Sequence, residues 1–336
     1  MQKVRYGVIG NGARGQALID AAIKTGEIEI VALADFQENM LKEAAKLVPN
    51  AKMFRNYNDL LEFSKVEAVV VATPNHTHKE IVLKCIEAGK HIFSEKPVAT
   101  SLKDFDAILD ILKGTDLVYQ VGIELRYSQM GSKLKEIVDS GSIGQVKMMW
   151  CKEFRPPFKD GVDGWRISPK SGGTFLEKNV HHFDLFNWLI GSKPIKVGAF
   201  GGSDVIYKNE GILDNGVVII EYENGARASL VLSLFHELGF LMEMGALGET
   251  GRIEAFSPSE KMDVYTRGYS LSYDFKKTGI KGGFDHEGEI EQHLAFVKSI
   301  RTGELPMANI DVVRDSHAIC FAVEEAVKTG SIIELR

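Results

Sequence analysis

The chain has 336 residues, of which 44% are hydrophobic and 26% are charged, a composition typical of globular proteins. This length predicts about two domains. The formal net charge of -6 argues against a nucleic-acid partner, because such a partner requires a basic face.

The cysteines and the apolar stretches argue against a disulfide-rich, a zinc-binding or a membrane-spanning protein. The three cysteines are scattered without a C-x-x-C pair, so we expect neither a disulfide framework nor a zinc site. No stretch is apolar for long enough to span a bilayer, so no membrane partner is expected. The first strand follows Met1 too closely for a signal peptide, which predicts a cytoplasmic location.

The chain begins with a predicted strand, a glycine turn and a helix start. Gly10, Gly12 and Gly15 stand in the spacing G-x-G-x-x-G. In dinucleotide-binding folds these glycines make the tight turn, admit a pyrophosphate to the backbone and let the helix pack closely on the sheet. Asp35 follows Gly15 by twenty residues, at the end of the second predicted strand. A carboxylate there binds the adenosine ribose and repels a 2′-phosphate, so NAD is favoured over NADP.

Predicted strands and helices alternate six times in the first part of the chain. After the first strand, the strands are predicted over 28–34, 52–54, 68–72, 91–94 and 117–121. The helices are predicted over 16–24, 37–47, 58–63, 77–88 and 102–112. This alternation predicts an α/β Rossmann domain with a doubly wound parallel sheet. Such a sheet binds its ligand at the carboxyl ends of its strands.

The pattern changes beyond residue 122. Helices are predicted over 131–138, 180–190, 287–301 and 311–328, and strands over 146–154, 217–222, 226–234 and 242–247. We therefore predict a Rossmann domain at 1–123 and an α+β domain with a large, mostly antiparallel open sheet at 124–336. An uncovered apolar face on that sheet would favour a homo-oligomer.

Glu95-Lys96-Pro97 directly follows a strand at the ligand-binding edge. A lysine in this place can hold a substrate hydroxyl near a nicotinamide and favour its alkoxide. A surface lysine without a catalytic role is an equally open interpretation.

Four side chains of the second domain recur at helical spacing: Glu177, His181, Asp184 and Trp188. On one helix this spacing places them on one face, although Asn179 as a cap would leave Glu177 just before the helix. An imidazole beside a carboxylate suits removal of a hydroxyl proton, with the carboxylate orienting the ring. A zinc site and a purely structural histidine are the alternatives. The metal is less favoured, because a nicotinamide already supplies the electron acceptor.

These motifs resemble those of the GFO/IDH/MocA family of oxidoreductases, the glucose-fructose oxidoreductase and inositol dehydrogenase relatives. The resemblance spans essentially the whole chain, and Glu95-Lys96-Pro97 is its most specific mark. Its other landmarks are the glycine motif, Asp35, Thr73-Pro74-Asn75 with His78, Arg126, Gly141-Ser142-Ile143-Gly144, Trp165-Arg166 and the block from Gly172 to Gly191.

The resemblance implies nicotinamide-dependent oxidation or reduction of a polyol, inositol or sugar carbon by a homodimer or homotetramer. In inositol dehydrogenases of the family, the catalytic set corresponds here to Lys96, Glu177 and His181. The cofactor contacts expected are Gly10, Asn11, Gly12, Ala13, Arg14, Gly15, Asp35, Thr73, Pro74, Asn75, His78, Glu95 and Lys96. The substrate contacts expected are Arg126, Tyr127, Trp165, Arg166, Lys178 and Asp184.

The chain departs from the family pattern near the predicted catalytic histidine. Glu177 stands where the family usually has Asp, and Lys178 adds a second amine. Such a polar pocket suits either a highly hydroxylated or a carboxylated substrate. Two other functions stay open: a non-catalytic dinucleotide-binding sensor, and an enzyme that recycles NAD during glycoside cleavage or epimerisation.

Overall fold

The computed structural model describes residues 2–208, 210–278 and 288–335. The chain divides into two compact units. The first unit comprises Met1–Ile123 and Glu289–Arg314, and the second comprises Glu124–Gly288 and Asp315–Arg336. No helix in the described part of the chain is long and apolar enough to cross a membrane.

The first unit contains one parallel sheet among its described residues. Its strands are β1 (Val4–Ile9), β2 (Ile28–Ala34), β3 (Lys52–Phe54), β4 (Ala68–Val71), β5 (His91–Ser94) and β6 (Tyr119–Val121). Its first helices are α1 (Ala13–Lys24), α2 (Glu38–Ala45), α3 (Tyr57–Leu61), α4 (His78–Glu87) and α5 (Leu102–Leu112). The strand order is β3-β2-β1-β4-β5-β6, with every pair parallel. The predicted doubly wound sheet is therefore confirmed.

The strands β1 and β4 lie at the centre of this sheet. All four residues of β4 are buried, as expected for a central parallel strand that is covered on both faces. The order of the strands changes direction between β1 and β4, and such a switch point opens a crevice at the carboxyl ends of the strands.

The second unit is built on a large sheet that is mostly antiparallel. Its strands are β7 (Val146–Phe154), β8 (Pro194–Gly202), β9 (Asn215–Tyr222), β10 (Arg227–Ser233), β11 (Leu241–Gly248), β12 (Gly251–Ser257), β13 (Lys261–Thr266) and β14 (Ser270–Asp274). The helices within this stretch are α6 (Gln129–Asp139), α7 (Thr174–Lys178) and α8 (Val180–Ile190). The chain ends with α9 (Glu289–Thr302), α10 (Ile310–Thr329) and β15 (Ile333–Glu334).

Among the described residues, the strand order of this sheet is β14-β13-β12-β11-β7-β10-β9-β8-β15. Only β7 and β10 pair in parallel, and the other described neighbours are antiparallel. The predicted large, mostly antiparallel open sheet is confirmed.

The two faces of the second sheet differ in burial. On one face, residues such as Met149, Cys151 and Leu230 are buried in the core. The opposite face, here called the open face, carries Met148, Trp150, Phe200, Val217, Ile219 and Val231, which the strand register places together. Phe200 is 81% exposed, and Ile219 and Val217 are also exposed. The described residues of the second unit therefore leave this apolar face uncovered.

Helix α9 packs with the first unit, although the sequence-based division assigned 124–336 to one domain. Phe296 is fully buried in the same cluster as Tyr6 and Phe93, with its ring 5.9 Å from each of theirs. His293 stacks on Phe93 at 4.9 Å. This contact joins residues far apart in the sequence, so the local pattern did not indicate it. The predicted start of this helix, residue 287, lies outside the described residues.

Candidate active site

The glycine turn between β1 and α1 leaves room for a phosphate. A Cβ atom at Gly10, where φ is +87°, would lie 2.5 Å from the Ala72 carbonyl oxygen. At Gly15 it would lie 2.0 Å from the Gly10 carbonyl oxygen, so neither position tolerates a side chain. At Gly12 a Cβ atom would meet nothing within 4 Å, and no side chain caps α1, which begins at Ala13. The first N–H groups of α1 are therefore available to a pyrophosphate.

The Asp35 carboxylate is fixed beside this turn by backbone donors. The Asn11 N–H donates to Asp35 Oδ2 at 2.7 Å, and the Gln37 N–H donates to Asp35 Oδ1 at 2.9 Å. Asn11 is buried, and its side-chain amide donates to the Ala34 carbonyl at 2.8 Å. These bonds hold the carboxylate that follows β2 beside the first βα turn, the arrangement that ribose recognition requires.

Arg14 links three segments of the first unit. Its Nε donates to Glu95 Oε1 at 2.7 Å, and its Nη1 pairs with Glu289 at the start of α9. The Glu95 side chain is nearly buried against Gly122, where an added Cβ would lie 3.1 Å from Glu95 Oε1. Arg14 and Glu95, both predicted as cofactor contacts, therefore hold each other and fix the loop that carries Lys96.

His78 joins the loops that follow β4 and β5. Its Nδ1 lies 2.7 Å from the Pro97 carbonyl oxygen, and its Nε2 lies 2.8 Å from the Thr73 carbonyl oxygen. Burial lowers the pKa of the His78 imidazole, and the two carbonyl acceptors oppose that effect. The Lys96-Pro97 peptide bond is cis, and the Lys96 side chain is half-buried. The imidazole thus fixes the position of the lysine loop relative to the loop Thr73-Pro74-Asn75.

The helix that the spacing of Glu177, His181, Asp184 and Trp188 implied is in fact two helices. Glu177 lies on α7 and the other three lie on α8, with Asn179 between them at φ -91° and ψ 0°. Asn179 occupies the cap position, but its side chain does not cap α8. Asn179 as a cap had left Glu177 just before the helix, as observed, but the spacing did not indicate that Glu177 lies in a short helix of its own.

Ion pairs hold most of the charged candidates of the second unit. Arg126 binds Asp184 through two hydrogen bonds of 2.6 and 2.8 Å, and both side chains are buried. The Arg126 guanidinium also lies 5.3 Å from the Trp188 ring. This pair has a structural role, since each charge is satisfied by the other, and its predicted contact with substrate stays a prediction. Arg166 Nε donates to Glu177 Oε1 at 2.6 Å.

The remaining candidates lie near these pairs. His181 and Tyr127 are buried, while Trp165 is half-buried and packs against Gly161. Lys96 belongs to the first unit, whereas His181 and Glu177 belong to the second. In the described residues, no group of three His, Cys, Asp or Glu side chains is arranged to hold a metal ion.

Glu153 is a buried charge that the sequence-based prediction missed. Its carboxylate accepts a hydrogen bond from Asn179 Nδ2 at 3.1 Å and lies 3.2 Å from Lys178 Nζ. Burial raises the pKa of Glu153, but the nearby cations Lys178 and Arg155 help to bring it below its usual value. Burial also lowers the pKa of His182 to about 4, so this imidazole is neutral at pH 7. The sequence did contain a signal for this buried charge, because Glu153 stands at a position of the β7 strand that faces the core.

The strand order, the glycine turn and the carboxylate that follows β2 are those of a dinucleotide-binding Rossmann domain. Residues 4–123 match the family model described as oxidoreductase family, NAD-binding Rossmann fold, and residues 132–254 match the model of the GFO/IDH/MocA C-terminal domain. The chain therefore belongs to the GFO/IDH/MocA oxidoreductase family, as its motifs predicted.

Known proteins resemble the chain over its full length. It is 27% identical to myo-inositol 2-dehydrogenase of Thermotoga maritima over 341 residues, which cover 99% of this chain and 98% of that protein. Levoglucosan dehydrogenase in complex with NADH has a similar structure, with a TM-score of 0.89, 20% identity and coverage of 100% of both chains. A putative NADPH-dependent oxidoreductase from Desulfitobacterium hafniense DCB-2 has a TM-score of 0.86 at 21% identity, covering 99% of this chain and 98% of that one. The two structural likenesses show the fold.

Glu324 of α10 supports the helix that carries Glu177. A Cβ atom at Gly173 would lie 2.5 Å from Glu324 Oε1, and the N–H groups of Thr174 and Phe175 donate toward this carboxylate. Burial raises the pKa of Glu324 to about 7, although the two N–H groups oppose the effect. A raised pKa means that the folded state favours the protonated acid.

We expect Glu324→Gln to remove a pH dependence of stability. The contribution of the wild-type acid is complete below its unfolded pKa of about 4.5 and is lost as pH rises through about 7. The free energy of unfolding of the variant minus that of wild type should therefore be roughly 1–3 kcal/mol more positive at pH 8 than at pH 4.5. Urea unfolding at both pH values measures this change. Glu325→Gln, on an exposed neighbour, is the control; an equal effect of Glu324→Gln at both pH values contradicts the prediction.

Proposed function

We propose that this protein is an NAD-dependent dehydrogenase that acts on a secondary hydroxyl of a polyol, inositol or sugar. The observation that carries the proposal is the half-buried Lys96, held at the carboxyl edge of the parallel sheet by the Arg14–Glu95 pair and by His78. Membership of the family and the similarity to a myo-inositol 2-dehydrogenase support the substrate class.

The residues of the first unit fit a nicotinamide dinucleotide. The uncapped first turn of α1 would bind the pyrophosphate, and Asp35 would bind the adenosine ribose. When bound, the cofactor supplies the acceptor or donor of hydride. Phe36 and Gln37, which follow Asp35, offer no positive charge to a 2′-phosphate, so NAD is the proposed cofactor.

The chain's own residues would handle the proton and the oxygen. The oxidation converts a secondary alcohol and NAD to a ketone, NADH and a proton. Lys96 donates a hydrogen bond to the reacting oxygen and stabilises its developing negative charge. His181 accepts the hydroxyl proton, and Glu177 orients His181 while Arg166 holds the Glu177 carboxylate. In the reverse direction, His181 returns the proton to the oxygen.

Substitution of Lys96 or His181 by Ala should lower kcat by about 100- to 10,000-fold, because each removes a group that acts on the reacting oxygen. The assay follows NADH absorbance with inositols, sugars and sugar acids, and NADH fluorescence shows that cofactor binding persists. Lys103→Ala, on an exposed lysine of α5, is the control. Full turnover by either variant would refute the assigned roles. For the wild-type protein, substrate turnover without accumulation of NADH would indicate that the cofactor is recycled. Absence of turnover with every substrate would indicate a non-catalytic sensor.

Asp35→Ser should weaken NAD binding by roughly 10- to 100-fold, because the ribose hydroxyls lose a charged acceptor. Binding of NADP should improve, since the repulsion of its 2′-phosphate is removed. Titration of both cofactors against wild type and variant by intrinsic fluorescence measures the change. Equal affinity of the wild-type protein for NAD and NADP would contradict the proposed preference.

The open face is the proposed surface of self-association. Its exposed aromatic and aliphatic side chains form an apolar surface of the kind that soluble proteins cover by oligomerisation. Light scattering after size exclusion should give a multiple of 37.2 kDa, and Ile219→Asp should shift the mass toward the monomer. Met53→Asp, at an exposed position of β3, should leave the mass unchanged. A monomeric wild-type protein at micromolar concentration would refute this proposal.

A further inference from the structure

Six side chains of the second unit are linked in a ring by five contacts and, between Glu177 and Lys178, by the chain itself; they are Glu177, Arg166, Phe158, Arg155, Glu153 and Lys178. Arg166 donates to Glu177 at 2.6 Å. The guanidinium groups of Arg166 and Arg155 lie 5.0 and 5.3 Å from the centre of the Phe158 ring. Arg155 Nη1 and Lys178 Nζ lie 3.7 and 3.2 Å from Glu153 Oε1. The ring closes because Lys178 follows Glu177 in α7.

The charges of this ring differ in their access to solvent. The side chains of Arg155 and Lys178 are each 22% exposed, and that of Arg166 is 31% exposed. In contrast, the Glu153 and Glu177 side chains are 0% and 4% exposed. A ligand that reaches the ring therefore meets three cations, whereas both carboxylates are covered. The three cations exceed the two carboxylates by one positive charge, and the adjacent His182 is neutral at pH 7.

Arg155 retains unused hydrogen-bonding capacity. Its distance of 3.7 Å from Glu153 is too long for a hydrogen bond, so this ion pair leaves the guanidinium donors unsatisfied there. Its Nε–H also has no acceptor among the described residues but is buried, so a ligand would reach the guanidinium through the exposed part of the side chain. A planar guanidinium with spare donors matches the two oxygens of a carboxylate better than a single hydroxyl.

We infer that the substrate carries an anionic group, of the carboxylate class, which binds to the cationic surface formed by Arg155, Arg166 and Lys178. This inference rests on the proposed function and narrows its substrate class from neutral polyols and sugars to their acids. Lys178 precedes the proposed proton acceptor His181 by three residues, so the surface adjoins the proposed reaction site along the chain. Asp160 in the neighbouring loop is exposed, and water screens its charge more than that of the partly covered cations.

Pairs of substrates that differ only in charge provide the test. We would compare D-glucose with D-glucuronate, D-galactose with D-galacturonate and D-mannose with D-mannuronate, with NAD and with NADP. For the pair that reacts, wild-type kcat/KM should be at least about tenfold higher for the acid, since hydrogen bonds between charged groups are the stronger ones. This preference should fall when salt is raised, because ions screen the attraction.

Arg155→Gln should lower kcat/KM for the acid by roughly 10- to 100-fold and leave that for the neutral sugar unchanged. Arg155→Lys keeps the charge without the planar fork and should restore part of the preference. Arg267→Gln is the matched control, because it removes an exposed arginine in the turn between β13 and β14. Thermal unfolding of each variant shows whether the fold is intact.

The outcomes separate this inference from the proposed function. Turnover of neutral sugars at rates equal to or above those of their acids would overturn the inference and leave the dehydrogenase proposal standing. An equal loss for both members of a pair in Arg155→Gln would assign Arg155 a structural role and overturn the inference. Absence of turnover with every pair and with myo-inositol would overturn both.

Discussion

The ion pair between Arg14 and Glu95 is the interaction on which the first unit's site depends. It connects the helix that would bind a pyrophosphate to the loop that presents Lys96, and Glu289 of α9 binds the same guanidinium. Because the Glu95 carboxylate is nearly buried, loss of Arg14 would leave an uncompensated charge, which typically costs several kcal/mol. The cofactor turn and the lysine loop are therefore held as one frame.

The buried carboxylates of the second unit are likewise stabilised by ion pairs. Asp184 is neutralised by Arg126, Glu177 by Arg166 and Glu153 mainly by Lys178. In each pair the cation and the carboxylate belong to different segments of the chain, so these pairs also fix the local backbone. The Arg126–Asp184 pair is buried on both sides, whereas the cations beside Glu177 and Glu153 are partly exposed. This difference in exposure distinguishes the structural Arg126–Asp184 pair from the cations that a ligand can reach.

The sequence predicted those features that local patterns encode. The glycine turn, Asp35 and the six strands follow from steric need and from short apolar runs, and the structure has them in the predicted order. Two features depended on contacts between distant residues. Helix α9 joins the first unit through Phe296, and Glu153 is stabilised by Lys178 of α7 and by Arg155, which directly follows its strand. Periodicity shows which side of an element is buried, but not what it is buried against.

The return of α9 to the first unit has a consequence for how the chain is synthesised. The core around Tyr6 and Phe93 includes Phe296, which leaves the ribosome only after strands β7 to β14 of the second unit. Domains ordinarily fold from the N-terminus as they emerge. Here the dinucleotide-binding unit stays incomplete, with apolar surface uncovered, until α9 has been made. Its maturation is thereby tied to synthesis of the intervening strands, and a chain terminated before α9 would expose that surface to chaperones and proteases.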